Sequence, residues 1–171
     1  MPRLPVLRTY LELPDRGSLK GASAPDARAR VELIVDCPPS LFRHLYAEVG
    51  RAYHWRDRLA WTDEDARRRL DDPAVSLHLL SVDAAPAGYF ELQRHDDGSV
   101  EIAYFGLLPE FHGRGLGKYL LTEAVEAGWA LGASRVWLHT CTLDDPAALP
   151  NYLARGFRPF RQETYEADLS D

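Results

Sequence analysis

The segment PEFHGRGLGK, residues 109–118, constrains this chain more than any other stretch. A strand-like run from Val100 to Leu107 precedes it, and a helical stretch to about Leu131 follows. The chain must therefore turn from strand to helix through glycines at 113, 115 and 117. Glycine admits positive φ, so successive backbone N–H groups can point one way. A helix opening near Leu116 adds the positive end of its dipole, and phosphate is the usual guest of such an anion site. Spacing separates the known phosphate loops. A Walker A loop needs GxxxxGK[ST], but His112 stands five before Gly117 and Tyr119 follows Lys118. A dinucleotide fingerprint needs GxGxxG after a βαβ opening, whereas the glycines here read GxGxG behind a meander. A Gly-rich turn without a ligand is the remaining plain alternative.

The rest of the chain frames that turn. Arg8 to Leu13 reads as a short edge strand, Asp15 to Ala29 as a loop, and Arg30 to Asp36 as a strand. Pro38-Pro39-Ser40 start a helix to about Val49, with Leu41, Leu45 and Val49 at four-residue spacing. Residues 51–61 carry aromatics without clear periodicity. Thr62 and Asp65 form a capping box for a second helix that Pro73 closes. Val75 to Val82, Ala87 to Arg94 and Val100 to Leu107 read as a meander, with a hairpin turn at Asp96-Asp97-Gly98. Ser134 to Thr140 reads as a strand, Pro146 to Arg155 as a helix and Phe157 to Glu166 as a last strand. A meander joined to crossover helices predicts an α/β (α+β) fold: a mixed, mostly antiparallel central sheet with helices on both faces. The 171 residues suit a single domain, leaving 1–30 as an N-terminal extension.

Composition narrows the function. There are 26 acidic against 20 basic residues, a formal charge of −6, which argues against a broad nucleic-acid surface but not against one local anion site. Cys37 and Cys141 form no CxxC pair, so disulfide, zinc and redox readings lack support, and no metal is expected. No run approaches a membrane span, and prolines and charges break any leader-like N-terminus. The expectation is a cytoplasmic protein, monomer or homodimer, that touches neither nucleic acid nor membrane.

With its spacing read as [RQ]xxGx[GA], the loop resembles the coenzyme A loop of the GCN5-related N-acetyltransferase (GNAT) superfamily. His112 stands at the Arg/Gln position, a departure. The flanking Pro109-Glu110 and Lys118-Tyr119-Leu120-Leu121 are similar to the family. A second anchor, NYLARGF at residues 151–157, resembles the family's aromatic-xxx-Gly-Phe ending, about 40 residues on. Asp145 stands where many members have an Asn that contacts the coenzyme. The resemblance implies acetyl-CoA as co-substrate and a primary amine of a small molecule or peptide as acceptor. It implies a main-chain oxyanion donor at Leu107 or Leu108, which would also pair with the pantetheine arm. The N–H groups of Arg114, Gly115, Leu116, Gly117 and Lys118 would hold the pyrophosphate, with His112, Gly113 and Asp145 beside them.

Acyl transfer from a thioester to an amine also needs a base and an acid, since lysine-type amines have pKa ~10. By resemblance Tyr152 is the general acid for the leaving thiolate, and its own pKa class keeps it protonated at neutral pH. The resemblance also implies Glu101 as the leading base, acting through a water, and His139, late in the next strand, is its rival. Simple alternation would put Glu101, Ala103 and Phe105 on one strand face and Ile102 and Tyr104 on the other. Cys141 is a conceivable but disfavoured nucleophile. Tyr53, Trp55 and Trp61 are candidates to line an amine slot by cation–π contact, or to pack the core. A non-catalytic acyl-CoA-binding module and an acyltransferase with a non-amine acceptor remain as alternatives.

Overall fold

The computed structural model describes residues 3–169. Seven strands form one sheet: β1 (Arg3–Leu13), β2 (Ala29–Leu33), β3 (Val75–Val82), β4 (Ala85–Arg94), β5 (Val100–Leu107), β6 (Val136–Cys141) and β7 (Arg158–Asp168). Their order across the sheet is β2-β3-β4-β5-β6-β1-β7. Four α-helices accompany them: α1 (Pro39–Gly50), α2 (Asp63–Leu70), α3 (Leu116–Ala130) and α4 (Ala148–Ala154). The mixed sheet with helices on both faces agrees with the sequence expectation. Among the described residues its only parallel pair is β5 with β6.

Each face has its own core. Leu116, Leu120, Leu121, Ala124 and Val125 of α3 pack with Phe90, Leu92 and Ile102 on one side. Phe42, Leu45 and Val49 of α1 and Ala66 of α2 pack with Leu77 and Tyr89 on the other. Strand alternation explains the division on β4, where Tyr89 and Phe90 are neighbours yet belong to opposite cores. The capping box of α2 is present: Asp65 N–H donates to Thr62 Oγ1 at 3.2 Å, and Thr62 N–H donates to Asp65 Oδ2 at 2.9 Å. These bonds hold the Asp65 carboxyl below its ordinary pKa.

Two features differ from the sequence expectation. The first strand is neither short nor an edge. It spans 11 residues and pairs on both sides, Leu11 with Leu138 of β6 and Leu11 with Pro159 of β7. Leu11 and Leu13 are fully buried there. Its partners lie more than a hundred residues away, so local pattern cannot rank it as central. The second is a bulge. Glu91 faces Tyr104 while the next residue, Leu92, faces Ile102, so Ala103 is the extra residue of β5. Simple alternation therefore fails. Glu101 and Tyr104 share the α1/α2 side, and Ile102 and Phe105 the α3 side.

The loop between β1 and β2 belongs to the packed body. Lys20 N–H donates to the Arg155 carbonyl at 2.8 Å, and Ala22 N–H to Thr122 Oγ1 at 2.9 Å. Residues of the expected N-terminal extension thus brace α3 and the end of α4.

Candidate active site

β5 and β6 stay paired only at Val100–Val136 and Glu101–Trp137. The bulge at Ala103 follows at once, and a bulge bends its strand. Beyond it the strands diverge and open a cleft of about 1210 Å³. Its lining includes Glu101, Phe105, Leu107, His139 and Tyr152, together with the glycine loop.

Two of the three loop glycines make the turn, and Gly117 already lies in α3. Gly113 and Gly115 sit at φ of 76° and 75°, a region where a side chain costs about 1–2 kcal/mol. Gly115 is the N-cap of α3, so no side chain caps the helix, and its first turn holds no acidic residue. The first-turn N–H groups of a 15-residue helix are thus left to a ligand or solvent. The Arg114 guanidinium lies 5.0 Å from the Phe111 ring. Lys118 lines the cleft with Gly113, Gly115, Leu116 and Gly117.

Main-chain directions on β5 distinguish Leu107 from Leu108, the two oxyanion donors expected from sequence. Leu108 N–H donates to the Ala87 carbonyl at 2.8 Å, so it is spent on β4. This corrects Leu108 as an oxyanion donor, and its side chain packs in the α1/α2 core. Leu107 faces Gly88 in a non-hydrogen-bonded pair, so its N–H and C=O point away from β4, into the divergence. Phe105 opposite Phe90 is oriented likewise. Phe105 was not singled out by sequence, because only the bulge position tells which amides face inward.

Three residues from distant segments meet at the cleft. The Tyr53 hydroxyl donates to Asp145 Oδ2 at 2.8 Å. His112 Nδ1 lies 3.8 Å from the same oxygen, and its Nε2 lies 3.3 Å from the Leu107 carbonyl. Asp145 Oδ1 accepts the Ala147 N–H at 2.8 Å. That backbone bond, then the Tyr53 hydroxyl and His112, hold the Asp145 carboxyl below its ordinary pKa. Burial and the Asp145 carboxylate push Tyr53 up to about 12. The two departures from the family pattern, His112 and Asp145, therefore face each other.

Tyr152 on α4 is 7% exposed and packs between Phe105 and Phe157, ring centroids 6.2 and 6.1 Å away. Burial, then the nearby Asp144 carboxylate, raise its pKa strongly, so it stays a phenol. Asp144 is itself fixed by the Thr140 hydroxyl at 2.6 Å and the Cys141 N–H at 2.9 Å. No sequence motif pointed to Asp144. Glu101 Oε1 lies 2.9 Å from His95 Nε2. His139 opens into the cleft yet is surrounded by its walls, with the Tyr10 ring 5.5 Å away. Desolvation, then the Arg8 charge, lower its pKa, against a raising contribution from Glu101.

The acceptor candidates separate. Tyr53 and Trp55 line the cleft. Trp55 also packs against Tyr46 and Tyr104, at 5.5 and 5.1 Å. Trp61 does not line it; it stacks on Phe42 at 6.3 Å and lies 4.7 Å under Arg58. Among the described residues, no three His, Cys, Asp or Glu side chains are placed to hold a metal ion, and no helix is long and apolar enough to cross a membrane.

Comparison with known proteins agrees with this geometry. The mycothiol acetyltransferase of Nocardia farcinica (strain IFM 10152) is 35% identical over 121 residues, 70% of this chain and 37% of that protein. An uncharacterized N-acetyltransferase of Mycobacterium tuberculosis (strain ATCC 25618 / H37Rv) is 36% identical over 69 residues, 40% of this chain and 44% of that one. The chain thus spans less than half the length of these relatives. A GCN5-related N-acetyltransferase from Kribbella flavida superposes with a TM-score of 0.64 at 20% identity, covering 100% of this chain and 60% of that one. Residues 40–157, holding both α1 and the Tyr152 segment, match the Acetyltransferase (GNAT) family, and the chain belongs to that family.

Proposed function

We propose that this protein moves an acetyl group from acetyl-CoA to a primary amine of a small molecule or peptide by direct attack in a ternary complex. One observation carries the reading: the bare α3 N-terminus and the inner edge of β5 open into the same cleft. The first suits a pyrophosphate and the second an extended amide-bearing arm. Residues 113–118 would hold the pyrophosphate, and Leu107 would pair with the arm. His112 now lies on the Leu107 carbonyl, so that pairing would turn the imidazole aside, toward Asp145. The pairing of β1 on both sides, with β6 and β7, supports treating 1–171 as one acetyltransferase unit. The free thiols of Cys37 and Cys141 suit a reducing, cytoplasmic setting.

In the transfer step the neutral amine adds to the thioester carbon, forming C–N as C–S breaks. The inward N–H groups of Phe105 and Leu107 face the developing oxyanion. Glu101 or His139 takes the amine proton, and Tyr152 donates toward the departing thiolate. Coenzyme release measured as free thiol, with acetyl-CoA and an amine panel, tests the reading. Binding of coenzyme A without turnover would favour a binding module on the same fold. No binding by a folded protein would overturn the reading.

A pH–rate profile separates the two bases. A His139 base would stay neutral below its ordinary pKa of about 6.5, because its folded pKa is lowered. Its acidic limb would therefore fall below pH ~6.5 and vanish in His139→Ala. We expect Glu101→Gln, not His139→Ala, to move the limb. Movement only in His139→Ala would reassign the base to His139.

A further inference from the structure

We infer that the acceptor carries a carboxylate a few bonds from its amine, and that Arg69 binds that carboxylate. The inference rests on the acetyl-transfer reading and names the substrate class. It begins at Glu91, which is fully buried in the middle of β4. Its carboxylate serves two guanidiniums. Arg58 binds it in bidentate fashion, Nη1 to Oε1 at 2.6 Å and Nη2 to Oε2 at 2.9 Å. Arg69 reaches Oε2 through Nη2 at 2.8 Å and Nε at 3.2 Å.

The charge count within the cluster does not close. One carboxylate faces two guanidiniums, and a guanidinium does not give up its proton in a protein. Glu91 is fully buried and the Arg69 side chain is 18% exposed, so the surplus positive charge is only partly solvated. Arg58 has both terminal nitrogens on Glu91 and lies 4.2 Å from the Tyr104 ring, so it is spent. Arg69 differs. Its Nη2 also donates to Gln93 Oε1 at 3.0 Å, but its Nη1 donates to no described residue. Arg69 lines the cleft.

Placement ties this charge to the reaction. Gln93 stands directly opposite Glu101 in the β4–β5 ladder, so Arg69 lies one side chain from the leading base. Glu101 and Asp57 supply negative charge to the same cleft, and Asp57 bears on the Tyr46 and Tyr104 hydroxyls. A simple amine or polyamine would be repelled by Arg69. A polyanion would be repelled by Asp57 and Glu101. A molecule with an amine and a carboxylate satisfies both signs.

The experiment compares α-, β- and γ-amino acids with their carboxamides as acceptors, read as thiol release. The acids should exceed their amides in kcat/KM by roughly tenfold or more, the scale of one charge-assisted hydrogen bond. Arg69→Gln should collapse the acid-to-amide ratio and Arg69→Lys should retain part of it. Glu91→Gln removes the neutralising charge and should raise the ratio. A merely structural cluster would move both variants the same way, so opposite signs separate the two roles. Amidated peptides beginning with Asp or Glu form a second arm and distinguish a peptide from a free amino acid. Equal turnover of acids and amides, or an unchanged ratio in Arg69→Gln, overturns the inference. If nothing is acetylated, the transfer reading fails and benzoate against benzamide decides the anion site by NMR titration. Saturable benzoate shifts lost in Arg69→Gln support the site, and their absence in wild type overturns it.

Discussion

Tyr152→Phe is expected to lower kcat about a hundredfold with little change in the dissociation constant of coenzyme A. The ring packing against Phe105 and Phe157 survives the change, so the cleft wall should keep its shape. Only the hydroxyl is lost. General acids contribute typically about 10²–10⁴-fold, and the environment of Tyr152 would place the proposed acid at the lower end. Burial raises the phenol above its ordinary pKa of about 10, whereas a thiol has a pKa of about 8.5. Complete proton transfer to a free thiolate would run uphill. On the proposed mechanism Tyr152 would serve chiefly as a hydrogen-bond donor to sulfur while negative charge grows there, and solvent would complete the protonation. The same raised pKa predicts that Tyr152 adds no basic limb to the pH–rate profile below pH ~10. Stopped-flow thiol release for kcat and calorimetry for coenzyme affinity test both statements. Unchanged kcat would remove Tyr152 from the acid role, and a large loss of coenzyme affinity would make it a packing residue.

The glycine loop was legible because its chemistry is local: three glycines, one strand before and one helix after suffice to aim N–H groups at an anion. The proposed roles of Tyr152 and Glu101 rest on family resemblance, since neither pattern nor spacing assigns a proton to either. The inward amide of Phe105 was hidden by one bulge, which moves Ile102 and Tyr104 to opposite sides. Leu108 looked equivalent to Leu107 until the Ala87 carbonyl claimed its N–H. The Glu91 cluster was also invisible. Arg58 is 33 residues from Glu91 and Arg69 is 22, and only the sheet and α2 bring them together. Trp61 shows the converse: an aromatic near the acceptor region that the fold uses under Arg58 instead of in the cleft.

Gly156→Ala should destabilise the fold by about 3–5 kcal/mol, a large effect for the addition of one methyl group. Two independent costs meet there. Gly156 sits at φ of 107°, outside the regions open to a side chain. A Cβ at this position would also stand 2.1 Å from the Ser18 carbonyl oxygen and 3.3 Å from Leu13 Cδ1. The obstacle at Ser18 is backbone, so no rotamer change can relieve it. That backbone is held nearby by the bond from Lys20 N–H to the Arg155 carbonyl, so the loop can retreat only by giving up that hydrogen bond. The glycine in the aromatic-xxx-Gly-Phe ending thus has a structural reason: it lets the β1–β2 loop pass against the exit of α4, the helix that carries Tyr152. Chemical denaturation should show a lower midpoint with an unchanged slope, and Tm should fall by roughly 10 °C for a chain of this size. Because the strain lies at the end of α4, the folded fraction of the variant should lose kcat more than coenzyme affinity, since the pyrophosphate loop is on α3. A variant as stable as wild type would mean that the loop yields freely, and the bracing of α4 by residues 18–20 would then have to be abandoned.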